Sequence, residues 1–259
     1  MTVKTALITG SSSGIGLATA KVLASQGMQV MLHGIESDEE GAVIASDIAE
    51  QFSVKTAYCS ADVSKAEAIE QLMIKAQEIF GCIDVLVNNA GIQYTCDTES
   101  FPVEKWDQII AINLSAAFHT TRLALGPMKA KGWGRIVNIA SVHGLVGSAN
   151  KSAYVAAKHG IVGFTKVVAI ENAAEGITVN AICPGWTDTP LLNHQFQVHA
   201  DNLGLSFDEG KKALITTKAP YPELVDPAAI GQLIAYLCSD AANAITGASL
   251  PIDGAWTAQ

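Results

Sequence analysis

Thr9-Gly10-Ser11-Ser12-Ser13-Gly14-Ile15-Gly16 is the stretch on which the reading of this chain turns. It follows a short apolar run, Lys4–Thr9, and opens Ile15–Gln26, where apolar residues recur at helical spacing until Gly27. A strand, a glycine turn and a helix in that order leave backbone amides at a helix N-terminus, where they can hold a pyrophosphate. Two rival readings fail on context. A triphosphate loop needs a lysine after its last glycine, and none stands there. Gly10-Ser11-Ser12-Ser13-Gly14 also matches the nucleophile elbow of serine hydrolases, but that elbow draws its oxyanion hole from an earlier strand and loop, and only one strand precedes Ser12.

Working outward, six more short apolar runs read as strands: Gln29–His33, Val54–Cys59, Ile83–Val87, Arg135–Ile139, Ile177–Ile182 and Leu250–Asp253. Helical patterns lie between them at Ala42–Gln51, Lys65–Phe80, Val103–Lys131, Ala153–Glu175 and Pro227–Leu237. Continuous Val/Ile/Leu strands alternating with helices predict an α/β fold, a doubly wound parallel seven-stranded sheet with helices on both faces. No linker, repeat or composition break divides the chain, so residues 1–259 are expected to form a single domain. Trp186–Val225 is far longer than an ordinary connection and is expected to be a lid or binding segment, helical in build, over the substrate.

Composition narrows the function. Among 259 residues, 16 Lys+Arg against 25 Asp+Glu leave a net charge of −9, which repels nucleic acid and anionic lipid. No apolar run approaches the ~20 residues of a membrane span, and no leader pattern precedes Gly10, so a cytoplasmic address and no membrane partner are expected. The five cysteines form no CxxC pair and the six histidines no HExxH spacing, which suggests neither a disulfide framework nor a metal site.

Between Lys21 and Lys55 there is no Lys or Arg, while Glu36, Asp38, Glu39 and Glu40 crowd the end of the second strand. A 2′-phosphate wants a cation there, so NAD is favoured over NADP; a solvated helix start accounts for the same acidic run equally well. Tyr154 and Lys158, four apart in a helical pattern, share a face, so the ammonium can favour the phenolate. Ser141, at the end of the fifth strand, offers a hydroxyl to a carbonyl or alkoxide oxygen.

Taken together, Thr9-Gly10-x-x-x-Gly14-x-Gly16, Asn88-Asn89-Ala90-Gly91, Asn113, Ser141, Tyr154-x-x-x-Lys158 and Pro184-Gly185 resemble the short-chain dehydrogenases/reductases in order and spacing over nearly the whole chain. The resemblance implies a Rossmann fold, Tyr154 as general acid/base, Ser141 polarising the substrate oxygen, Lys158 gripping the nicotinamide ribose, and Asn113 holding a water in the proton relay. It implies that NAD lies against Thr9, Gly10, Ser12, Ser13, Gly14, Ile15, Gly16, Asn89, Ala90, Gly91, Tyr154, Lys158, Pro184 and Gly185. Ile35, Asp62 and Val63 would flank the adenosine, and Thr187 or Thr189 the nicotinamide carboxamide.

The substrate wall is expected from the ends of the fourth to sixth strands and from the long insertion. Lys151 is informative, because a cation at the start of the helix carrying Tyr154 opposes the helix dipole by ~0.3–1 kcal/mol, and a bound anion would give it a reason. Within the family, Gln93, Ser141, His143, Lys151, Tyr154, Trp186 and Gln195, with the terminal Asp253-Gly254-Ala255-Trp256-Thr257, resemble the members that act on short hydroxy acids. That implies a small anionic hydroxy or keto acid whose carboxylate meets Gln93, His143, Lys151 and Gln195, with Trp186 and Trp256 as apolar walls, and oxidation of (R)-3-hydroxybutyrate to acetoacetate. Leu191, Leu192, Gln195 and Phe196, at helical spacing, could close over it. Two alternatives are a cofactor-binding regulator, which need not keep Ser141, Tyr154 and Lys158 together, and a ketoacyl-carrier reductase, which would want a basic docking surface. A homotetramer is expected, because Val103–Lys131 and Ala153–Glu175 carry more apolar residues than one sheet face can cover.

Overall fold

In the computed structural model, which describes residues 3–258, the seven expected strands are β1 (Thr5–Ile8), β2 (Gln29–Gly34), β3 (Thr56–Ser60), β4 (Val85–Asn88), β5 (Gly134–Ile139), β6 (Ile177–Pro184) and β7 (Ser249–Ile252). They form one sheet in the order β3-β2-β1-β4-β5-β6-β7, every pair parallel. Each strand feeds both faces by simple alternation. Ala6 and Ile8, Val30 and Leu32, and Val85 and Val87 enter one core. Leu7, Met31 and Leu86 enter the other. The first core is closed by α1 (Gly14–Ser25), α2 (Asp38–Phe52) and α9 (Pro227–Leu237), through Leu23, Ile48, Ile230 and Ile234. The second is closed by α3 (Ala66–Phe80), α5 (Ala116–Lys131) and α6 (Ser152–Asn172), through Ile69, Leu72, Met128 and Val168. Because β1 pairs with both β2 and β4, the chain leaves in opposite directions there, and a crevice opens at the C-terminal ends of the strands.

Three features of the structure add to or differ from the sequence reading, the helical build of the lid insertion being as expected. The helical pattern Val103–Lys131 is not one helix: α4 (Val103–Ile110) joins α5 through a π-type turn at Ala111–Ser115. Asn113 sits in that turn, where its side chain accepts from the Ile92 N–H and donates to the Ile92 carbonyl, both at 2.9 Å. The insertion Trp186–Val225 holds two packed helices, α7 (Pro190–Leu203) and α8 (Phe207–Thr216). Its ends are tied by backbone bonds from Val225 to the Trp186 carbonyl and from Asp188 to the Val225 carbonyl. The Leu191 side chain, one of the expected closing residues, lies outside the described residues. Third, Ser152–Glu175 is by length and composition apolar enough to cross a membrane, contrary to the reading of the apolar runs. Its inner face nevertheless buries Lys158, Thr165 and Asn172, and the helix packs against β6.

A run of buried polar side chains couples the second core to the crevice. Thr120 donates to Asn88 Oδ1 at 2.6 Å, Asn88 Nδ2 donates to Asn138 Oδ1 at 2.8 Å, and Asn138 Nδ2 donates to Thr165 Oγ1 at 2.9 Å. Each member satisfies a neighbour that no water reaches, so deletion leaves buried groups unpaired. Asn138→Ala is therefore expected to cost about 2 kcal/mol. A fall in Tm against wild type checks this; an unchanged Tm would show that the run stabilises nothing.

Candidate active site

The crevice contains a cavity of about 790 Å³, within the range of small-molecule sites. One end is built by the glycine turn. Gly10 has φ +62°, and a Cβ there would stand 2.9 Å from the Ala90 Cα, so only glycine lets the turn approach the chain leaving β4 this closely. Gly16 faces inward, where a Cβ would overlap the Gly10 carbonyl oxygen. Thr9 Oγ1 accepts from the Asn89 and Ala90 amides at 3.0 Å, and Asn89 Nδ2 donates to the Thr9 and Gly10 carbonyls at 2.9 and 2.8 Å. Ser13 precedes α1 without a side-chain bond into the helix, which leaves the first amides of α1 open to the cavity. Those open amides, with a glycine cradle before them, fit the pyrophosphate of a dinucleotide.

The acidic run divides between the two readings left open for it. Ser37 and Glu40 form a capping box at the start of α2, and Asp38 accepts from the Ser60 amide at 2.9 Å. Glu36 alone lines the cavity, beside Ile35, Asp62 and Val63. Burial pushes its carboxyl up, but bonds from its own backbone, Ser12, Tyr58 and the Ile35 backbone prevail and hold it below the usual carboxylate range. Tyr58 Oη lies 3.1 Å from the Glu36 carboxylate, and its own pKa is raised by burial and by Glu36. Among the described residues, no Lys or Arg lines this half of the cavity.

At the centre, β5 delivers Ser141, and α6 delivers Tyr154 and Lys158 on one face. Ser141 Oγ accepts from the His143 amide at 3.1 Å. Lys158 Nζ donates to the Ile139 carbonyl at 2.7 Å and stands 5.6 Å from the centre of the Tyr154 ring. Burial lowers the Lys158 pKa to about 8. The same burial raises that of Tyr154, against an opposing hydrogen bond with Ser141. From the sequence, the Lys158 ammonium is expected to favour the phenolate; in the structure burial is the larger influence on Tyr154 and acts the other way.

Beyond Tyr154 the cavity is lined by Gln93, His143, Lys151, Trp186 and Trp256, with Leu192 from α7. Lys151, only 8% exposed, precedes α6, with Nζ 3.2 Å from Gln195 Oε1 and 5.9 Å from the centre of the Trp186 ring. Burial lowers its pKa to about 8. The His143 ring packs 5.4 Å from Trp256 and 6.1 Å from Tyr154. Burial and the Lys151 charge depress its pKa to about 4, so it is neutral at physiological pH. Trp256 belongs to the same subunit's pocket, 5.2 Å from Trp186. Gln93 Nε2, His143 Nδ1 and Trp186 Nε1 are buried without a hydrogen-bond partner among the described residues. Lys151, a buried cation that donates to the neutral Gln195, is a group that a small anion in the cavity would satisfy.

The residues singled out in the sequence thus fall into two groups. Gly10, Ser12, Ser13, Gly14, Ile15, Ile35, Asp62, Val63, Asn89, Ala90, Gly91, Pro184, Gly185, Thr187 and Thr189 line the cavity, as do Ser141, Tyr154, Lys158 and the substrate set apart from Gln195. Thr9, Gly16, Asn113 and Gln195 do not line it but act on residues that do: the first two shape the turn, Asn113 pins Ile92, and Gln195 meets Lys151. Sequence reasoning passed over His33, which lines the cavity from the end of β2. Its signal was a polar residue closing an otherwise apolar strand.

Comparison with known proteins agrees with this geometry. The family model for short chain dehydrogenases matches residues 4–199. The chain is 54% identical to a D-beta-hydroxybutyrate dehydrogenase of Cupriavidus necator, covering 99% of this chain and 98% of that one. It is 47% identical to a D-beta-hydroxybutyrate dehydrogenase of Rhizobium meliloti, covering 99% of each. Among solved structures, an actinorhodin polyketide ketoreductase variant with NADPH superposes with a TM-score of 0.92 at 35% identity, covering 98% of this chain and 97% of that one. With its parallel sheet, glycine turn and Ser141, Tyr154 and Lys158 in one crevice, this chain belongs to the short-chain dehydrogenase family.

Proposed function

We propose that this chain catalyses the reversible NAD-dependent oxidation of (R)-3-hydroxybutyrate to acetoacetate. The observation that carries the reading is the buried Lys151 ammonium, held by the neutral Gln195, in the same cavity as Ser141, Tyr154 and the lining donors of Gln93 and Trp186. A carboxylate there satisfies the ammonium and the donors, and holds a short hydroxy acid with its alcohol toward Ser141 and Tyr154. When bound, an oxidised nicotinamide supplies the hydride acceptor and a positive charge that favours the phenolate. Tyr154 takes the hydroxyl proton as the C3 hydrogen departs as hydride, and returns it in the reverse direction. Ser141 donates a hydrogen bond to the developing carbonyl oxygen. Lys158, anchored on the Ile139 carbonyl, steadies the ring and the ribose beside it.

The cofactor half supports NAD over NADP. A 2′-phosphate would meet Glu36, already ionised by its hydrogen bonds, and no neighbouring cation. Catalytic efficiency with NAD is expected to exceed that with NADP at least tenfold, or ~1.4 kcal/mol. Equal efficiencies would refute the assignment.

Lys151→Ala is expected to cost about 2–4 kcal/mol in kcat/KM toward (R)-3-hydroxybutyrate, and far less toward an uncharged secondary alcohol. The attraction needs the ammonium, whose pKa lies at about 8 before substrate arrives. The wild-type KM for the hydroxy acid should therefore be lowest below that pH and rise above it, while the variant stays flat. Equal losses on both substrates would assign Lys151 to the fold and not to the anion.

The chain is further proposed to assemble as a homotetramer through α5 and α6. Ile170 is 81% exposed, Val167 53% and Phe118 49%, apolar side chains on those two helices that neither sheet face covers. Light scattering at micromolar concentration should report four subunits; a monomer would contradict the proposal.

A further inference from the structure

His33 lines the crevice, makes a hydrogen bond through each ring nitrogen and has no part in hydride transfer. It is 1% exposed, at the end of β2. Nδ1 accepts the Gly10 N–H at 2.9 Å, and Nε2 lies 2.9 Å from the Ala61 carbonyl oxygen. An amide can only donate and a carbonyl only accept, so both contacts are met by a single species: neutral imidazole with its proton on Nε2. The backbone of His33 joins the same turn, since Ser11 N donates to the His33 carbonyl at 2.7 Å and the His33 amide donates to Ser11 Oγ at 2.9 Å. One side chain thus bridges the first glycine of the turn and Ala61, which leads into the cavity residues Asp62 and Val63.

We propose that His33 is a positioning residue for the dinucleotide: neutral, it locks the glycine turn to the loop at the adenosine end of the cavity, and a second proton unlocks them. An imidazolium would set its Nδ1–H against the Gly10 N–H at the same 2.9 Å, so the turn must retreat. The surroundings favour the neutral form. Burial lowers the His33 pKa, and the Ala61 bond and the Glu36 charge oppose this without overcoming it. The other titratable groups nearby are Cys59, its register partner on β3, Tyr58 on the same strand, Asp62 in the loop, and Asp38, which accepts from the Ser60 amide and pairs with Lys75; the glycine turn contributes none. The burial that keeps Cys59 and Tyr58 protonated leaves Glu36, Asp62 and Asp38 as the nearby anions, the last paired with Lys75.

The inference rests on the dinucleotide occupying this cavity, and the test separates the two. NADH binding is followed by the fluorescence of the reduced nicotinamide in wild type, His33→Asn and His33→Leu. Asparagine keeps an acceptor for Gly10 and cannot titrate; leucine fills the space with no acceptor. His33→Leu should weaken NADH binding about tenfold or more and His33→Asn by about threefold or less, with kcat at saturating cofactor and the KM of the alcohol within about twofold of wild type. Lowering the pH from about 7.5 to about 5 should weaken binding in wild type more than in His33→Asn. If His33→Leu does not fold, the pH dependence of wild type against His33→Asn still decides. Wild-type affinity in His33→Leu, or the same pH dependence in His33→Asn as in wild type, would overturn the proposal. Failure of the wild-type protein to bind NADH at all would overturn the cofactor reading instead.

Discussion

Everything in the crevice depends on a reciprocal clasp between the ends of β1 and β4. The Thr9 hydroxyl accepts two amides from Asn89 and Ala90, while Asn89 returns two bonds to the carbonyls of Thr9 and Gly10. These bonds hold the glycine turn against the chain at the point where the strand order reverses, and the reversal is what opens the crevice. A side chain on Gly10 or Gly16 would collide with the backbone there, so the clasp and the glycines are one device. From this fixed point β5 sets Ser141 and α6 sets Tyr154 and Lys158 at the same edge.

Burial gives the site its electrical character. Lys151 and Lys158 are both pushed to about 8, and His143 falls to about 4, because a low-dielectric pocket resists isolated charge. Each lysine holds one neutral acceptor: Gln195 for Lys151 and the Ile139 carbonyl for Lys158. Around Lys151 the lining residues Gln93, His143, Trp186 and Trp256 carry no acidic side chain, which favours a ligand that supplies a negative charge. The lid reinforces this, since the hairpin of α7 and α8 brings Gln195 to Lys151 and packs Trp186 against Phe196 under Trp256.

The sheet was legible because parallel strands buried on both faces leave an unbroken apolar signature, and because strand, glycine turn and helix occur together only in a narrow set of folds. That Tyr154 and Lys158 share a face was legible for a related reason: their spacing sets it whatever the rest of α6 does. What escaped was non-local. The break at Ala111–Ser115 follows from Asn113 bonding to Ile92, twenty-one residues away, and no periodicity reports that. In the insertion the helical spacing of Leu191, Leu192, Gln195 and Phe196 marked α7, while α8, which packs on it, carried no such signal. The role of Glu36 emerged only once Ser37 and Glu40 had claimed the rest of the acidic run for capping α2. The raised pKa of Tyr154 also ran against the sequence reading, because spacing gives a neighbour but not how dry the site is.

The central claim is that Tyr154 moves the proton in a crevice whose dinucleotide site stands independently of it. Tyr154→Phe removes one oxygen and leaves the glycine turn, Glu36 and Lys158 in place. NADH affinity and single-turnover oxidation of (R)-3-hydroxybutyrate, measured on the same preparation, test that claim most directly. The account predicts an NADH affinity within about threefold of wild type and a hydride-transfer rate lower by ~10²-fold or more. Transfer at more than about a tenth of the wild-type rate, with NADH bound normally, would contradict it.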